Sequence, residues 1–233
     1  MSASQPPPLP FPTRIPFAEH LGLALHAFAD GQSELRVVVR EALCNSRLVA
    51  HGGVLMTLLD VAMATAARSG TGAPGAITIE MKTSFLRAAE GSLRANGKLI
   101  HRTATLAFCE AEVHNAKNQL CARASGTFKL MRPSHTASPI HHPPSTIGIA
   151  MTQMNRQIQL ASRHTGEPSH ANFRLVAHGG VLMTLLDVAM ATAARSGSGA
   201  PGVMTIEMKT SFMRAAEGSL RANGKLIDRK SVV

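Results

Sequence analysis

The chain has 233 residues, with 24 Lys and Arg against 14 Asp and Glu, which gives a formal net charge of +10 at pH 7. Aromatic residues make up 3%, with neither Trp nor Tyr. This composition argues against a nucleic-acid module that stacks bases on exposed rings. No run of Lys and Arg marks a nucleic-acid-binding arm either.

Three cysteines, Cys44, Cys109 and Cys121, lack CxxC or Cys/His spacing. They therefore predict neither a disulfide framework nor a metal site, and they fit a reducing cytoplasm. Residues 1–13 hold many prolines and no basic or apolar signal region, so we expect a disordered leader rather than a signal peptide. The apolar stretch 51–68 is too short to span a membrane. A soluble, cytoplasmic protein without membrane or nucleic-acid partners is the expectation.

The predicted elements run from residue 14 to residue 131. A short amphipathic helix within 14–24 ends at Gly22, and two strands (23–30 and 33–40) flank a turn at Asp30-Gly31-Gln32. A loop leads into a long helix over 51–68, which a glycine-rich stretch ends. Four further strands follow, at 76–85, 91–101, 103–114 and 120–131. One apolar helix followed by an antiparallel run of strands predicts an α+β fold, with the helix wrapped by a curved sheet.

The long helix carries one unusual residue. Asp60 is its only formal charge between Arg47 and Arg68. A carboxylate buried in such a helix is costly unless a partner stabilises it, and burial shifts its pKa in the way that enzymes use to prepare acids and bases. Asp60 is therefore the first candidate for chemistry, with a capped or salt-bridged core acid as the alternative.

Residues 132–171 read as a linker by composition. Beyond them, residues 172–227 repeat residues 45–100 at a constant offset of 127, with differences at Ser46/Phe173, Thr71/Ser198, Ala76/Val203, Ile77/Met204 and Leu86/Met213. Nothing upstream of Asn172 resembles the strands that precede Asn45. The repeat lacks a counterpart of residues 102–131.

The second copy would hold a helix and about two strands of a sheet that needs about six, too few to cover a helix that is apolar on every face. We interpret it as an assembly artefact or a truncated fusion. A genuine tandem protein would be expected to carry a complete second copy. Residues 228–233 match the translation of a common sequencing adapter and are interpreted as an adapter-derived tail.

At Asn45, His51-Gly52-Gly53, Asp60 and Thr78, the order and spacing resemble the hotdog-fold acyl-CoA thioesterases. The similarity is greatest to the phenylacetate-pathway (PaaI-like) and 4-hydroxybenzoyl-CoA thioesterase-like (4HBT) branch. It runs from about Ile15 to Leu130 and includes 84–87, Gly91 and 126–128. It implies a hotdog fold and a homodimer or dimer of dimers. It also implies a site between subunits, where Asp60 of one chain faces the Asn45/Gly52 loop of the other.

The residues support this reading independently. Backbone N–H groups of Gly52 and Gly53 lie at the positive end of a helix dipole and can face a developing oxyanion. Asp60 lies eight residues further along, about 12 Å at 1.5 Å per residue, so one subunit cannot easily bring both to one substrate.

We expect Asp60 to act as general base or nucleophile, and the sequence does not choose between them. The Gly52 N–H would polarise the thioester carbonyl. Asn45 would position water or substrate, unless it is a simple turn residue. Thr78 would bond the water or Asp60, unless it is an ordinary strand threonine. His51 is expected chiefly to fix the loop.

The resemblance also implies that the coenzyme A arm lies along the sheet edge, near candidate residues Gly53, Phe85, Arg87, His101, Arg102 and Thr103. Arg87 and Arg102 suit phosphates, with solvated strand-end charges as the alternative. Many relatives have Pro at the position of Ala88 and Gly at that of Thr103. No metal and no cofactor is expected, coenzyme A being part of the substrate.

The expected function is therefore hydrolysis of an acyl-CoA thioester. A non-catalytic acyl-CoA-binding hotdog protein is the alternative, and Asp60 argues against it. A hotdog dehydratase fits less well, because His51 and Asp60 do not match its arrangement of histidine and acid. A third alternative is that the full chain, with exposed apolar helix and strand edges in its second copy, aggregates.

Overall fold

The structure is a computed structural model. It describes residues 7–132, 149–154, 157–163, 177–198, 202–214, 216 and 219–227. Three helices are α1 (Pro16–Leu21), α2 (Gly52–Ser69) and α3 (Gly179–Ser198). The strands are β1 (Ala24–Ala29), β2 (Gln32–Val38), β3 (Ala76–Phe85), β4 (Ser92–Arg102), β5 (Leu106–Asn115), β6 (Leu120–Leu130), β7 (Ile149–Met154), β8 (Gln157–Arg163), β9 (Glu207–Ser211) and β10 (Ser219–Gly224).

We call residues 14–131, with α1, α2 and β1 to β6, the first copy, and the later elements the second copy. In the first copy, helix α2 contacts every strand from β1 to β6. These strands form an antiparallel sheet in the order β1-β2-β4-β5-β6-β3. Nearly the whole of α2 is buried, as expected of a helix that is apolar on every face. The α+β hotdog arrangement is confirmed, with the long helix wrapped by the sheet.

Local sequence explains the boundaries, which lie within a few residues of the predicted ones. The β1–β2 turn places Asp30 and Gly31 at positive φ (50° and 74°), which suits Asp and Gly in a tight hairpin. Helix α1 ends at Gly22 in the left-handed region. The Nδ1 atom of His51 accepts the Gly53 N–H at 3.0 Å and so caps α2.

Close approach of α2 to the sheet depends on Gly97 of β4. A Cβ on Gly97 would clash with the carbonyl oxygen of Ala62, and the Ser33 hydroxyl donates to that same oxygen at 2.7 Å. The second copy repeats the contact between Gly224 and Ala189. The missing side chain therefore sets how deeply each helix lies against its sheet.

Part of the proline-rich leader is ordered, so the prediction of disorder over 1–13 is wrong for its described part. The Leu9 N–H donates to the Leu25 carbonyl oxygen at 2.7 Å, and Phe11 packs against the core. Even a proline-rich segment can order when a strand edge and an apolar surface are available to it. Residues 1–6 lie outside the described part.

The second copy joins the first along one sheet edge. Strand β9 pairs antiparallel with β3, with Lys82 opposite Lys209, Met81 opposite Thr210 and Thr83 opposite Met208. Since Lys209 is the repeat counterpart of Lys82, this register is two-fold symmetric about that pair. Lys82 bonds Glu207 at 3.0 Å, and Lys209 bonds Glu80 at 3.2 Å. The two copies are thus related by a local two-fold axis at this edge.

The segment predicted as a linker contains strands β7 and β8. Ala222 of β10 pairs with Leu160 of β8, just as its repeat counterpart Ala95 of β4 pairs with Leu35 of β2. The β7–β8 hairpin therefore takes the place that β1–β2 has in the first copy. The prediction of a linker over 132–171 is therefore wrong for residues 149–154 and 157–163, because backbone pairing needs an extended hairpin rather than a sequence that resembles β1–β2.

Helices α2 and α3 pack against each other where each begins. A Cβ on Gly53 would lie 2.6 Å from Cβ of Thr184, and a Cβ on Gly180 would lie 2.8 Å from Cβ of Thr57. Glycine at both positions allows this approach. No helix among the described residues is long and apolar enough to cross a membrane.

A Gly97→Ala variant tests the close approach of α2 to β4. The added methyl group would force Ala62 and the helix away from the sheet, at a cost of about 2 kcal/mol or more in unfolding free energy. Urea unfolding measures the change. Asn96→Ala, on the exposed face of the same strand, is the control and should change stability little. Equal stabilities for the two variants would contradict the packing argument.

Candidate functional site

Asp60 lies in the middle of α2 with 4% of its surface exposed. The Thr78 hydroxyl, on β3, donates to Asp60 Oδ1 at 2.7 Å. Burial raises the pKa of Asp60 from 3.8 to about 6, while the hydrogen bond from Thr78 lowers it in part. A carboxylate with such a pKa is ionised at neutral pH and more basic than an ordinary Asp, as a general base requires.

The other oxygen of Asp60 faces the second copy. A Cβ placed on Gly179, the first residue of α3, would lie 3.4 Å from Asp60 Oδ2. The arrangement is reciprocal, since a Cβ on Gly52 would lie 3.1 Å from Asp187 Oδ2. Each carboxylate thus faces the first residue of the opposite helix. Asp60 does not share a centre with Gly52 of its own copy.

Asp187 repeats the surroundings of Asp60. It is buried, and the Thr205 hydroxyl donates to its Oδ1 at 2.5 Å. The chain therefore contains two centres. We call Asp60 with Gly179 the first centre, and Asp187 with Gly52 the second centre.

The two glycines at the start of α2 have different surroundings. The Gly53 N–H donates to His51 Nδ1, so it is engaged within the loop, and His51 fixes that loop. Within the described residues, no acceptor is found for the Gly52 N–H. This is the donor that a helix start leaves free for a ligand.

Asn45 forms the turn that leads to His51. Its Oδ1 accepts the Arg47 N–H at 2.8 Å, and its own N–H donates to the Val49 carbonyl oxygen at 2.8 Å. The side-chain oxygen of Asn45 is therefore used in the turn, as the alternative of a simple turn residue predicts. Its counterpart Asn172 lies outside the described residues.

Phe85 covers the glycine of the second centre, because a Cβ on Gly52 would lie 3.5 Å from Phe85 Cζ. Phe212 covers Gly179 of the first centre in the same way, at 3.4 Å. Phe212 was not among the predicted site residues. Its repeat relation to Phe85 is the signal that could have identified it.

The remaining predicted binding residues fall into two groups. The first group is Arg87, which lies two residues after Phe85 and whose Nη1 donates to the Leu120 carbonyl oxygen at 3.0 Å.

The second group lies exposed at the β4–β5 turn and consists of His101, Arg102 and Thr103. Thr103 Oγ1 accepts the Leu106 N–H at 3.0 Å, and the His101 ring stacks on Phe108. In the sheet, β4 lies three strands away from β3, a distance of roughly 14 Å. The strand pairings place the β4–β5 turn at the same end of the sheet as Thr78 and at the opposite end from Phe85.

His178 is the buried counterpart of His51. Its Nδ1 accepts the Gly180 N–H at 3.0 Å, and its ring lies 5.4 Å from that of Phe17 on α1. Burial lowers the pKa of His178 from 6.5 to about 4. The loop of the first centre is therefore held by a neutral imidazole under the first copy's helix α1.

Two other features lie apart from these centres. A groove of about 520 Å³ on the outer face of β1, β2 and β4 is lined by His26, Arg36 and Arg94, among others, and contains none of the predicted site residues. Within the described residues, no group of three or more His, Cys, Asp and Glu side chains could hold a metal ion.

The sequence pattern of the Thioesterase superfamily matches residues 49–122 and 176–229, which together are more than half of the chain. A Halobacterium salinarum protein named "Putative esterase" is 31% identical over 124 residues, 48% of this chain and 82% of that protein. The chain belongs to the thioesterase superfamily. One matched segment lies in each copy of this superfamily member.

Solved structures similar to this thioesterase-superfamily chain include a conserved protein from Pseudomonas aeruginosa. It is 31% identical, with a TM-score of 0.49, over 52% of this chain and 97% of that one. Another is the PaaI protein from the phenylacetic acid degradation operon of E. coli. It is 23% identical, with a TM-score of 0.47, over 49% of this chain and 83% of that one.

Asp60→Asn should stabilise the protein at neutral pH. Because the folded-state pKa lies above 3.8, the unfolded chain releases the proton first. The loss of stability caused by ionising the buried Asp60 is therefore absent below pH 3.8, grows as pH rises, and is complete above about pH 6. Urea unfolding measures this. The free energy of unfolding of Asp60→Asn, relative to that of the parent, should rise by roughly 3 kcal/mol between pH 4 and pH 7.5. Glu110→Gln, on the surface, is the control. A gain independent of pH would contradict the buried, ionised carboxylate.

His178→Asn should remove an acid sensitivity. With a folded-state pKa below that of the unfolded chain, His178 costs nothing above pH 6.5 and destabilises the fold increasingly as pH falls to about 4. Asn keeps a cap acceptor but does not titrate. The parent should therefore lose roughly 3 kcal/mol relative to the variant across that range.

Thermal unfolding of the parent and of His178→Asn at several pH values measures this difference. His51→Asn, the same change at the half-buried counterpart, reports the cost of replacing the cap at pH 7. Parallel pH curves for the parent and His178→Asn would show that the buried ring does not control acid stability.

Proposed function

We propose that the chain is an acyl-CoA thioesterase that hydrolyses its substrate to a free acid and coenzyme A. The observation that supports this most strongly is the first centre, where a buried carboxylate faces the start of a 20-residue helix from the other copy. A non-catalytic binder has no need of a basic carboxylate in an apolar helix. The family of the chain supports the same reaction class.

In this proposal Asp60 is the general base of the first centre. Thr78 holds Oδ1, so Oδ2 is the oxygen that faces the space beside Gly179. A water there transfers a proton to Oδ2 as its oxygen bonds to the thioester carbonyl carbon. The raised pKa of Asp60 makes this transfer more favourable than it would be for an exposed Asp.

The start of α3 stabilises the negative charge that forms on the carbonyl oxygen. The donor is the Gly179 N–H, with the helix dipole behind it, as the Gly52 N–H is in the second centre. Glycine at this position lets the thioester approach the backbone closely. When the tetrahedral intermediate collapses, the carbon–sulfur bond breaks, and the proton held by Asp60 passes to the coenzyme A sulfur.

The coenzyme A arm extends from the first centre along the sheet. Thr78 and the β4–β5 turn lie at one end of the first copy's sheet, and Phe212 reaches that end because its N–H donates to the Ile79 carbonyl oxygen at 2.8 Å. In this arrangement Arg102 and Arg214, both exposed, are the candidate phosphate ligands. Arg87 has the role of Arg214 in the second centre.

We propose that the first and second copies of one chain form the pair that the family resemblance predicts for two subunits. Each copy supplies a carboxylate to one centre and a helix start to the other. One chain therefore suffices for two centres, and a further homo-oligomer is not required for the chemistry. The free cysteines among the described residues suit a reducing, cytoplasmic setting.

Hydrolysis of a panel of aromatic and medium-chain acyl-CoA thioesters, followed by thioester absorbance, tests the proposal. Asp60→Asn and Asp187→Asn should each remove one centre, with residual rates that add up to the parent rate. The double variant should lose a factor of about 10²–10⁴. Glu110→Gln is the control, and circular dichroism verifies folding.

Binding of acyl-CoA without turnover by the parent would replace the enzyme proposal with an acyl-CoA-binding protein. Parent-like rates in the double variant would exclude both carboxylates from the chemistry. Turnover in water labelled with ¹⁸O separates two roles of Asp60, because label found in its carboxylate would make it the nucleophile.

A further inference from the structure

One side of α3 is apolar and partly exposed. Leu182, Leu186 and Met190 follow one another at a spacing of four, so they form a stripe on one face of the helix. Leu186 is 37% exposed and Met190 43% exposed. We call these three residues the α3 stripe. Large apolar side chains exposed in a row on a helix are typical of an interaction surface.

The first copy shows what covers the same stripe. Leu55, Leu59 and Met63 of α2, the repeat counterparts, are all buried, with Leu59 and Met63 at 0% exposure. Strands β5 and β6 both pack against α2. Met63 Cε comes within 3.2 Å of the position that a Cβ on Gly126 of β6 would take. An identical helix therefore has a known, closely fitted cover.

The two strands that would border such a cover, β9 and β10, each end a sheet. In the first copy, β6 and β5 lie between β3 and β4 in the sheet. Their counterparts β9 and β10 end two different sheets, and within the described residues nothing pairs with their facing edges. By the strand order of the first copy, an antiparallel pair of strands would lie between these two edges, and such edges offer backbone groups for pairing.

We propose that the α3 stripe and the edges of β9 and β10 form a docking site for a β-hairpin of the β5–β6 type, supplied by another polypeptide. The hairpin contacts α3 with small apolar residues at alternate positions, as Ala107, Cys109, Ala111, Ala122, Ala124 and Gly126 do on the first copy. It hydrogen-bonds to both free edges, which is strand addition. The proposal does not depend on the thioesterase proposal.

A synthetic peptide of residues 101–132, added to the full chain under reducing conditions, tests this docking. Calorimetry should give a 1:1 complex, and hydrogen exchange should show new protection over Leu182 to Met190 of α3 but not over the same region of α2. Two peptide variants sharpen the test while leaving the chain unchanged. Gly126→Val, which would clash with Met190, should weaken binding at least tenfold, whereas Ser125→Val, on the outward face, should not.

A chain variant provides a second test. Leu186→Glu places a charge in the α3 stripe and should also weaken binding at least tenfold, whereas Leu9→Glu, an equivalent change at an exposed site far from α3, should not. Absence of binding to a monomeric chain would overturn the proposal. So would a concentration-dependent dimer of the chain alone, seen by light scattering and abolished by Leu186→Glu, because the occupant would then be a second copy. Equal binding of the two peptide variants would also contradict it.

Discussion

The proposed chemistry depends on placing a carboxylate in an apolar helix and keeping it ionisable. Asp60 is almost completely buried, has Thr78 as its one hydrogen-bond donor among the described residues, and has a raised pKa. An uncompensated buried carboxylate of this kind destabilises the fold. This destabilisation of the fold is explained if Asp60 Oδ2 accepts no protein hydrogen bond because it serves a reacting molecule. In the proposed reaction, the start of the opposite helix supplies positive potential.

That geometry requires two helices and therefore two copies. Gly53 and Gly180 let α2 and α3 approach until each threonine at the crossing contacts the other helix's glycine. The same two-fold relation aligns β3 with β9 and pairs Lys82 with Glu207 and Lys209 with Glu80. Helix packing, sheet register and the two centres are thus consequences of one symmetric interface.

The sequence predicts most of the first copy, since hydrophobic periodicity and glycine turns locate α2 and β1 to β6 within a few residues. It also singles out Asp60, because a charge in an apolar helix is conspicuous. Of the alternatives that the sequence left open for Thr78, the structure shows the hydrogen bond to Asp60. The pairing of Asp60 with Gly179 could not be read from one copy. The second copy contributes more than a helix and two strands, because β7 and β8 also pair with it. Its interpretation as an artefact or truncated fusion stays a prediction. The β7–β8 hairpin went unnoticed because strand pairing tolerates a sequence that has diverged from β1–β2. Residues 228–233 lie outside the described part of the chain.

Zero-length carbodiimide cross-linking of the unmodified chain tests the central claim, pairing of the two copies within one molecule, most directly. Lys82 and Glu207 are 3.0 Å apart, and Lys209 and Glu80 are 3.2 Å apart. Sequence differences at Ala76/Val203 and Ile77/Met204 let mass spectrometry distinguish the peptides of the two copies. The account predicts Lys82–Glu207 and Lys209–Glu80 links in protein of monomer size. Links of Lys82 to Glu80 found only in covalent dimers would contradict it, because the first copies of two chains would then be paired instead.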